Sequence, residues 1–312
     1  MRLKYLDGLM GFVVGDAMGV PLEFKSREEL LKNPVTKMIG FGTHNVAEGT
    51  WSDDTSMMIA TIDSINAKNG IDLYDIALKF SAWKNRGSYT PFGEVFDIGN
   101  TCAKAIENFD EGHDEPTTCG LTDINSNGNG SLMRILPIAY YAIEKHLKDT
   151  EILELVRQIS SITHAHEISI LGCYIYVRYV MFILNGKDKL AAYNMTKAVD
   201  YTMFSEEARA PYERLIKGDI SKLTVNDIKS TGYVVDSLEA CIWVLLKSEN
   251  YKEAIIGAIN LGGDTDTIGA LTGALAGIIY GYDYIPEEWK NEIARKEYLL
   301  DIFEEFSENK YE

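Results

Sequence analysis

The chain has 312 residues, of which 46% are hydrophobic, and a formal net charge of −17 at pH 7. Such an acidic surface repels phosphate backbones, so we expect no sequence-independent binding of nucleic acid. Because no tract rich in proline, glycine or serine resembles a linker, the sequence predicts one large domain over residues 1–312.

The sequence also indicates a cytoplasmic protein that does not enter a membrane. Its four cysteines lie far apart without a CxxC pair, which is typical of free thiols in a reducing compartment. Asp7 and Asp16 interrupt the N-terminal segment, which therefore does not resemble a signal peptide. The most apolar run, 168–184, is slightly short for a bilayer and contains Arg178, so we interpret it as a buried helix. We expect the protein to act as a monomer.

The spacing of apolar residues predicts an all-α fold. They recur at intervals of three and four along most of the chain, whereas the alternation typical of strands is scarce. The polar stretch 111–130, which contains His113, is predicted to be a loop. The predicted helical segments are 3–14, 57–65, 73–83, 98–109, 132–147, 152–162, 168–184, 238–246, 254–261 and 268–280.

The first segment that could carry chemistry is GDAMGVPLEF (15–24). Its Gly-Val-Pro step is expected to end the first helix, and Glu23 follows between Leu22 and Phe24. Apolar neighbours raise the pKa of a carboxyl, which would suit Glu23 to general acid or base catalysis. A surface glutamate in a loop is an equally good interpretation of the same residues.

Two acidic motifs, GTWSDDT (49–55) and LGGDTDT (261–267), each place two carboxylates and neighbouring hydroxyls at the start of a predicted helix. Carboxylates this close repel one another and are costly to desolvate unless a cation joins them. Oxygen ligands suit Mg²⁺ and Mn²⁺, so the two helix ends together predict a site for one or two such ions. Alternatively, Ser52 and Asp264 only cap their helices, and the other acids complement the helix dipoles.

Two further segments, GNGSLMR (128–134) and THAHE (163–167), could contact a ligand. The first is a glycine-rich turn into a predicted helix, whose amides suit an anion or a sugar hydroxyl. It lacks the lysine of a Walker loop and does not follow a strand, so neither common nucleotide-binding fingerprint applies. In the second, His164 and His166 have the wrong spacing for an HExxH zinc site. Either histidine could cap a helix or contact a phosphate.

Glycines recur every fourth residue in the last predicted helix, at Gly269, Gly273, Gly277 and Gly281. A glycine inside a helix costs about 1 kcal/mol relative to alanine. Four of them predict that another helix approaches this one closely, as expected of an inner helix that carries the active site.

Six segments together resemble the ADP-ribosylglycohydrolase family. They are GDAMGVPLEF, GTWSDDTSMMIA, FDIGNT (96–101), GNGSLMR, THAHE and LGGDTDTIGALTGALAG. They occur in the order found in that family and extend from about residue 6 to residue 281. The WSDDT and GGDTDT motifs are specific as a pair, whereas FDIGNT and THAHE carry little weight alone.

The resemblance implies a single compact all-α domain with a centre of two Mg²⁺ ions, or of two Mn²⁺ ions in their place. It further implies a metal-dependent hydrolase that releases ADP-ribose from a protein or small-molecule acceptor by cleaving the bond at C1′ of the proximal ribose. By motif match, the implied metal ligands are Ser52, Asp53, Asp54, Asp264, Asp266 and Thr267. Glu23 would be the catalytic carboxylate, with Asp54 and Asp264 beside it. The implied substrate contacts are Asp97, Gly128, Asn129, Gly130, Ser131 and His164.

One departure and two alternatives accompany this resemblance. The family commonly has threonine where this chain has Ser52, and since serine keeps the hydroxyl, we expect tuned rather than lost activity. A related protein could bind ADP-ribose, or serve a structural role, without turnover, but such a protein is expected to lack the metal-site acids. A two-metal phosphohydrolase would cleave the pyrophosphate and release AMP instead of ADP-ribose. The acceptor could be arginine, serine, a nucleic-acid base or an ester.

Overall fold

The computed structural model describes residues 4–112 and 115–308, which excludes His113 and residue 3 of the first predicted helix. Within these ranges the chain forms helices and loops without a β-strand, and two isolated β-bridges join Leu121 to His164 and Gly128 to Tyr233. The all-α prediction is therefore confirmed. The α-helices are α1 (Tyr5–Gly19), α2 (Arg27–Lys32), α3 (Asp53–Lys68), α4 (Leu73–Arg86), α5 (Asn100–Asp110), α6 (Leu136–Glu144), α7 (Asp149–Ser161), α8 (Glu167–Leu184), α9 (Lys189–Lys197), α10 (Glu206–Arg209), α11 (Glu213–Ile216), α12 (Val234–Lys247), α13 (Tyr251–Ile259), α14 (Thr265–Tyr280), α15 (Glu287–Glu292) and α16 (Lys296–Glu308).

Helices α1 and α14 pack against each other along their glycine-rich faces at the centre of the molecule. A Cβ at Gly15 would lie 2.0 Å from the carbonyl oxygen of Gly269, so the two backbones are in direct contact. Gly273 and Gly277 face α1 in the same way, which confirms the predicted close approach. Gly281 is the exception. It ends α14 with φ 99, a conformation that glycine adopts without strain, and no backbone approaches it closely.

Other helices differ from the prediction for local reasons. The predicted helix 132–147 is divided into a 3-10 turn, Leu132–Arg134, and α6. Pro137 explains the division, because proline has no N–H to donate and is tolerated in the first turn of a helix but not inside it. Helix α16 lies outside the predicted segments, because acids interrupt its apolar residues, although Leu299, Phe303 and Phe306 are buried on one face.

Helix α8 is a core helix, as predicted for the most apolar run of the chain. By length and composition alone, Glu167–Leu184 could cross a membrane, and 83% of this window is buried inside the protein. Its basic residue, Arg178, pairs with Asp149 at 2.7 Å at the start of α7. The helix packs against α6, α7, α9 and α12, which accounts for its apolar composition.

Candidate metal centre

The N-terminus of α3 is fixed on α1 by Asp16, to which no pattern in the sequence assigns a role. The Asp16 carboxylate accepts hydrogen bonds from Ser52 N at 3.0 Å, Thr55 N at 3.1 Å and Thr55 Oγ1 at 2.6 Å. Burial raises the pKa of Asp16 to about 6, and these hydrogen bonds oppose the shift. The sequence signal for this contact is an acid between the apolar pairs Val13–Val14 and Ala17–Met18 of α1.

The second acidic motif is held beside Glu23 by backbone hydrogen bonds. Phe24 N donates to the carbonyl of Gly263 at 2.7 Å, and Gly263 N donates to the carbonyl of Lys25 at 2.9 Å. Gly263 has φ 75, and a Cβ there would lie 2.0 Å from the carbonyl oxygen of Ser230, so this position requires glycine. The start of α14 therefore lies next to Glu23, which follows the 3-10 turn Val20–Leu22 after α1.

The two acidic motifs meet, although more than 200 residues separate them in the chain. Thr267 Oγ1 donates to Asp54 Oδ1 at 3.2 Å, which joins the first turn of α14 to that of α3. Two groups of carboxylates have ligand atoms within 4.8 Å of one another and could hold a metal ion. The first group is Glu23, Asp264 and Asp266, and the second is Asp53, Asp97 and Asp266.

Helix capping explains only one of these residues. Ser52 accepts a hydrogen bond from Asp54 N at 3.2 Å and is the N-cap of α3. Asp264 precedes α14, but its side chain makes no cap hydrogen bond. Moreover, Asp54 Oδ2 and Asp266 Oδ1 are buried without a hydrogen-bond partner in the part of the chain that the structure describes. A buried carboxylate oxygen without a donor is costly, so these atoms fit a bound cation.

Electrostatic repulsion within the cluster supports the same conclusion. Burial, followed by the neighbouring carboxylates, raises the pKa of Asp53 and of Asp266 well above the ordinary value. The pKa of Asp54 is raised well above its ordinary value for the same reasons, with Asp16 as the largest charged contribution. A bound divalent cation would lower these pKa values again, because it stabilises the ionised carboxylates. The oxygen-only donor set is one that Mg²⁺ and Mn²⁺ prefer.

Glu23 is buried beside this cluster, with 5% of its surface exposed, so the interpretation as a surface glutamate is wrong. Burial raises the pKa of Glu23 to about 8, a hydrogen bond to His44 opposes the rise, and the charges of Asp97 and Asp264 add to it. His44 Nε2 contacts Glu23 Oε2, and this hydrogen bond raises the pKa of His44. No motif in the sequence indicates His44. Phe24, in contrast, is 69% exposed and does not bury the carboxyl.

A cavity of about 400 Å³ opens over the carboxylates. The predicted site residues that line it are Glu23, Asp53, Asp54, Asp97, Gly128, Asn129, Gly130, His164, Asp264 and Thr267. Ser52 and Asp266 do not line this cavity, and both are buried. Ser131 is fully buried, and its hydroxyl accepts a hydrogen bond from Ser160 Oγ at 2.9 Å, so its side chain does not reach the cavity.

Asn129 connects the glycine-rich turn to the acidic cluster. Its side-chain amide donates to Asp264 Oδ2 at 2.7 Å and to Ser237 Oγ at 2.9 Å. The amide group is therefore committed to a carboxylate of the cluster, a contact that the sequence does not indicate. Beside the turn, His164 is 1% exposed, and burial, together with the charge of Arg134, lowers its pKa to about 3. His166 caps α8, which is one of the two roles that the sequence allows it.

This fold and this site define a class: an all-α protein whose buried carboxylates, suited to divalent cations, line a cavity at the meeting of two helix N-termini. Comparison with known proteins identifies the family. The model of the ADP-ribosylglycohydrolase family matches residues 1–312, and the chain therefore belongs to that family and is a hydrolase.

Two relatives and one solved structure illustrate the similarity. The chain is 31% identical over 311 residues to the ADP-ribosylarginine hydrolase Tri1 of Pseudomonas putida (strain GB-1), covering 95% of this chain and 76% of the relative. It is 31% identical over 298 residues to the ADP-ribosyl-[dinitrogen reductase] glycohydrolase of Rhodospirillum rubrum, covering 94% and 91%. A solved structure described as an ADP-ribosylglycohydrolase-related protein complex superimposes with a TM-score of 0.81 and 25% identity, covering 99% of this chain and 98% of that one.

Proposed function

We propose that this enzyme releases ADP-ribose from ADP-ribosylated arginine by hydrolysis at C1′ of the proximal ribose. The observation that carries the proposal is the junction of α3 and α14, where two buried carboxylate oxygens have no hydrogen-bond donor among the described residues. Family membership supports the reaction class, and the names of two relatives, an ADP-ribosylarginine hydrolase and a dinitrogen reductase glycohydrolase, support a protein acceptor.

Two Mg²⁺ ions, or Mn²⁺ in their place, would occupy the cluster. The proposed ligands are Ser52, Asp53, Asp54, Asp264, Asp266 and Thr267. When bound, such ions orient hydroxyl groups and stabilise charge that develops in the transition state. Two of the proposed ligands also keep the site in shape, because Ser52 caps α3 and Thr267 donates a hydrogen bond to Asp54. Ser52 would offer its hydroxyl oxygen to an ion while it remains the N-cap of α3.

Glu23 is the proposed catalytic carboxyl. In the metal-free protein burial raises the pKa of Glu23 to about 8, which suits this carboxyl to hold a proton near neutral pH and give it to a leaving group. His44 Nε2 contacts Oε2 and holds the side chain in the lining of the cavity, and Thr43 Oγ1 donates to the backbone carbonyl of Glu23 at 2.6 Å and holds the main chain. Asp54 and Asp264 are proposed to assist from the cluster.

Arginine suits the charge of the cavity. Asp97 lines it and is not among the proposed metal ligands, so its charge can attract a cationic group. A guanidinium is cationic and forms paired hydrogen bonds with carboxylates, whereas serine, a neutral base and an ester lack that positive charge. The turn Gly128–Gly130 and His164 line the same cavity and are the proposed contacts for the rest of ADP-ribose.

The test is incubation with peptides ADP-ribosylated on arginine or serine, with an ADP-ribosylated base and with an O-acetyl ester, each with and without EDTA. We expect metal-dependent release of free ADP-ribose, fastest from arginine. Release of AMP would instead indicate a phosphohydrolase that cleaves the pyrophosphate. Tight binding of ADP-ribose without release from any acceptor would contradict the proposal and favour a binding protein.

A further inference from the structure

Arg134 is a fully buried cation behind the glycine-rich turn, and its hydrogen bonds all go to neutral acceptors. Nη1 donates to the carbonyl of Gly130 at 2.8 Å and to Thr163 Oγ1 at 2.8 Å, and Nη2 donates to the carbonyl of Ile159 at 3.2 Å. The guanidinium also lies 4.6 Å from the centre of the Phe80 ring. These contacts hold the cation in one place, but among the described residues Nε has no hydrogen-bond partner and no carboxylate pairs with the guanidinium.

The hydrogen bond from Arg134 to Thr163 determines whether the threonine hydroxyl donates or accepts in its other hydrogen bond. A guanidinium has only N–H donors, so Thr163 Oγ1 accepts in this hydrogen bond. The same oxygen lies 2.8 Å from His164 Nδ1, and its single proton is free to be donated to that nitrogen. A hydroxyl that accepts from an arginine is also polarised, which makes it a better donor to the histidine.

Cys102 also lies close to Thr163 and Arg134, but it is a poor competitor for this proton. Burial raises the pKa of the Cys102 thiol to about 11, so the sulfur stays protonated. A neutral thiol is a weak acceptor, whereas an unprotonated imidazole nitrogen is a strong one. The hydroxyl proton of Thr163 therefore belongs to His164 Nδ1.

We infer that Arg134 and Thr163 are positioning residues that fix His164 as a neutral imidazole with its proton on Nε2. Protonation of the ring is suppressed by the same arrangement, because the ring is buried beside an uncompensated cation. Nδ1 is an acceptor and Nε2 is a donor in this tautomer.

The orientation of the imidazole ring directs the Nε2–H of His164 toward the turn that lines the cavity. A Cβ built on Gly130 would lie 2.8 Å from His164 Cε1 and 3.3 Å from Nε2, and one on Gly128 would lie 3.7 Å from Nε2. The Cε1–Nε2 edge thus faces the turn Gly128–Gly130, whose residues line the cavity together with His164. An N–H there suits an acceptor oxygen, such as a diphosphate or ribose oxygen of ADP-ribose, so this step deepens the proposed function and rests on it.

The wild-type enzyme provides the direct test through the ¹⁵N spectrum of its histidine side chains, assigned with a His164→Gln variant. We expect His164 to show an unprotonated Nδ1 and a protonated Nε2 from pH 6 to 8. A proton on Nδ1, or a ring that becomes doubly protonated in this range, would overturn the inference. This measurement does not depend on turnover, so it remains decisive if the proposed reaction is wrong.

A matched pair of variants tests the role of the hydroxyl. Thr163→Val removes it at nearly constant shape, whereas Thr163→Ser keeps it. Since one hydrogen bond contributes about 1 kcal/mol, we expect Thr163→Val to raise the Kd for ADP-ribose about 5- to 10-fold and to shift the His164 tautomer. Thr163→Ser should keep both. An unchanged tautomer and Kd in folded Thr163→Val would contradict the inference, and if that variant does not fold, the wild-type spectrum still decides.

Discussion

Two regions of this molecule contain buried charge that the described residues do not neutralise, and the charges have opposite signs. At the junction of α3 and α14, carboxylates crowd together, and two of their oxygens have no hydrogen-bond donor. Behind the turn Gly128–Gly130, Arg134 is a buried cation among neutral acceptors. Uncompensated buried charge is costly, so the carboxylates are suited to an external cation, whereas the buried Arg134 favours the neutral form of His164 beside it.

Asn129 lies between these two regions and touches one of them directly, through its hydrogen bond to Asp264. The cavity is thus lined by carboxylates that suit cations and by hydrogen-bond donors of the turn Gly128–Gly130 and His164. In ADP-ribose the diphosphate lies beyond the hydroxyl groups of the proximal ribose, and this order of groups matches the two ends of the cavity. The match explains why a strongly acidic protein can bind an anionic ligand.

The largest effect is expected when a carboxylate of the cluster loses its charge. Asp266→Asn should lower the rate of ADP-ribose release about 1,000-fold or more, because bound metal supplies several kcal/mol of transition-state stabilisation. The same change should raise the melting temperature of the metal-free protein, since it removes one repelling charge. Asp301→Asn, an exposed position on α16, is the control. A normal rate of ADP-ribose release by Asp266→Asn would show that the cluster is not needed for catalysis.

Glu23→Gln should lower kcat by about 100-fold or more, which is the usual contribution of general acid–base catalysis. Metal binding, measured by calorimetry with Mn²⁺, should remain, because Glu23 is not one of the six proposed metal ligands. The matched control is Glu305→Gln on the exposed face of α16. Full turnover of Glu23→Gln with intact metal binding would show that another group moves the proton.

A smaller effect is expected from a substitution of Asn129, which lies between the acidic cluster and the glycine-rich turn. Asn129→Ala removes the hydrogen bond to Asp264 Oδ2, and loss of such an outer contact typically lowers metal affinity about 10- to 100-fold. Titration of the metal-free variant with Mn²⁺ measures this loss, with Asn185→Ala, at an exposed helix end, as the control. If the metal affinity is unchanged while ADP-ribose binding weakens, then Asn129 serves the ligand rather than the cluster.

The smallest expected effect is a pH dependence of metal stabilisation. Raised carboxyl pKa values mean that the metal-free folded protein holds protons that the unfolded chain has already lost, so these groups destabilise the fold as pH rises. Bound metal must displace those protons. At pH 6, Glu23, with a pKa of about 8, is protonated, and Asp16, with a pKa of about 6, is half protonated. At pH 8 both have lost more of their protons. We therefore expect the rise in melting temperature caused by Mg²⁺ to be larger at pH 8 than at pH 6. An equal or larger rise at pH 6 would contradict the proposed link.

The acidic end of the site is more predictable from the sequence than its other end, for physical reasons. Doubled acids next to hydroxyls and before apolar helices are costly without a cation, so the residues of GTWSDDT and LGGDTDT by themselves indicate a shared site. The glycine spacing of α14 likewise predicts its contact with α1. Both signals are local patterns whose energetic cost can be estimated from the residues alone.

The contacts of the other residues depend on tertiary structure. His44 reaches Glu23 across 21 residues without a motif, and Asp16 reaches Ser52 from a different helix. Ser131 belongs to a recognisable turn, yet its side chain points away from the cavity. A side chain's direction depends on how its helix packs, and packing involves residues far away in the chain.

The central claim is that α3 and α14 together form one centre for two divalent ions that the reaction requires. Metal-free enzyme titrated with Mn²⁺ and followed by electron paramagnetic resonance, with ADP-ribose release measured in parallel, tests it most directly. We predict two bound ions per chain, a signature of two coupled ions, and activity that rises only as the sites fill. Full activity without metal, or no Mn²⁺ bound in the wild-type enzyme, would contradict the account.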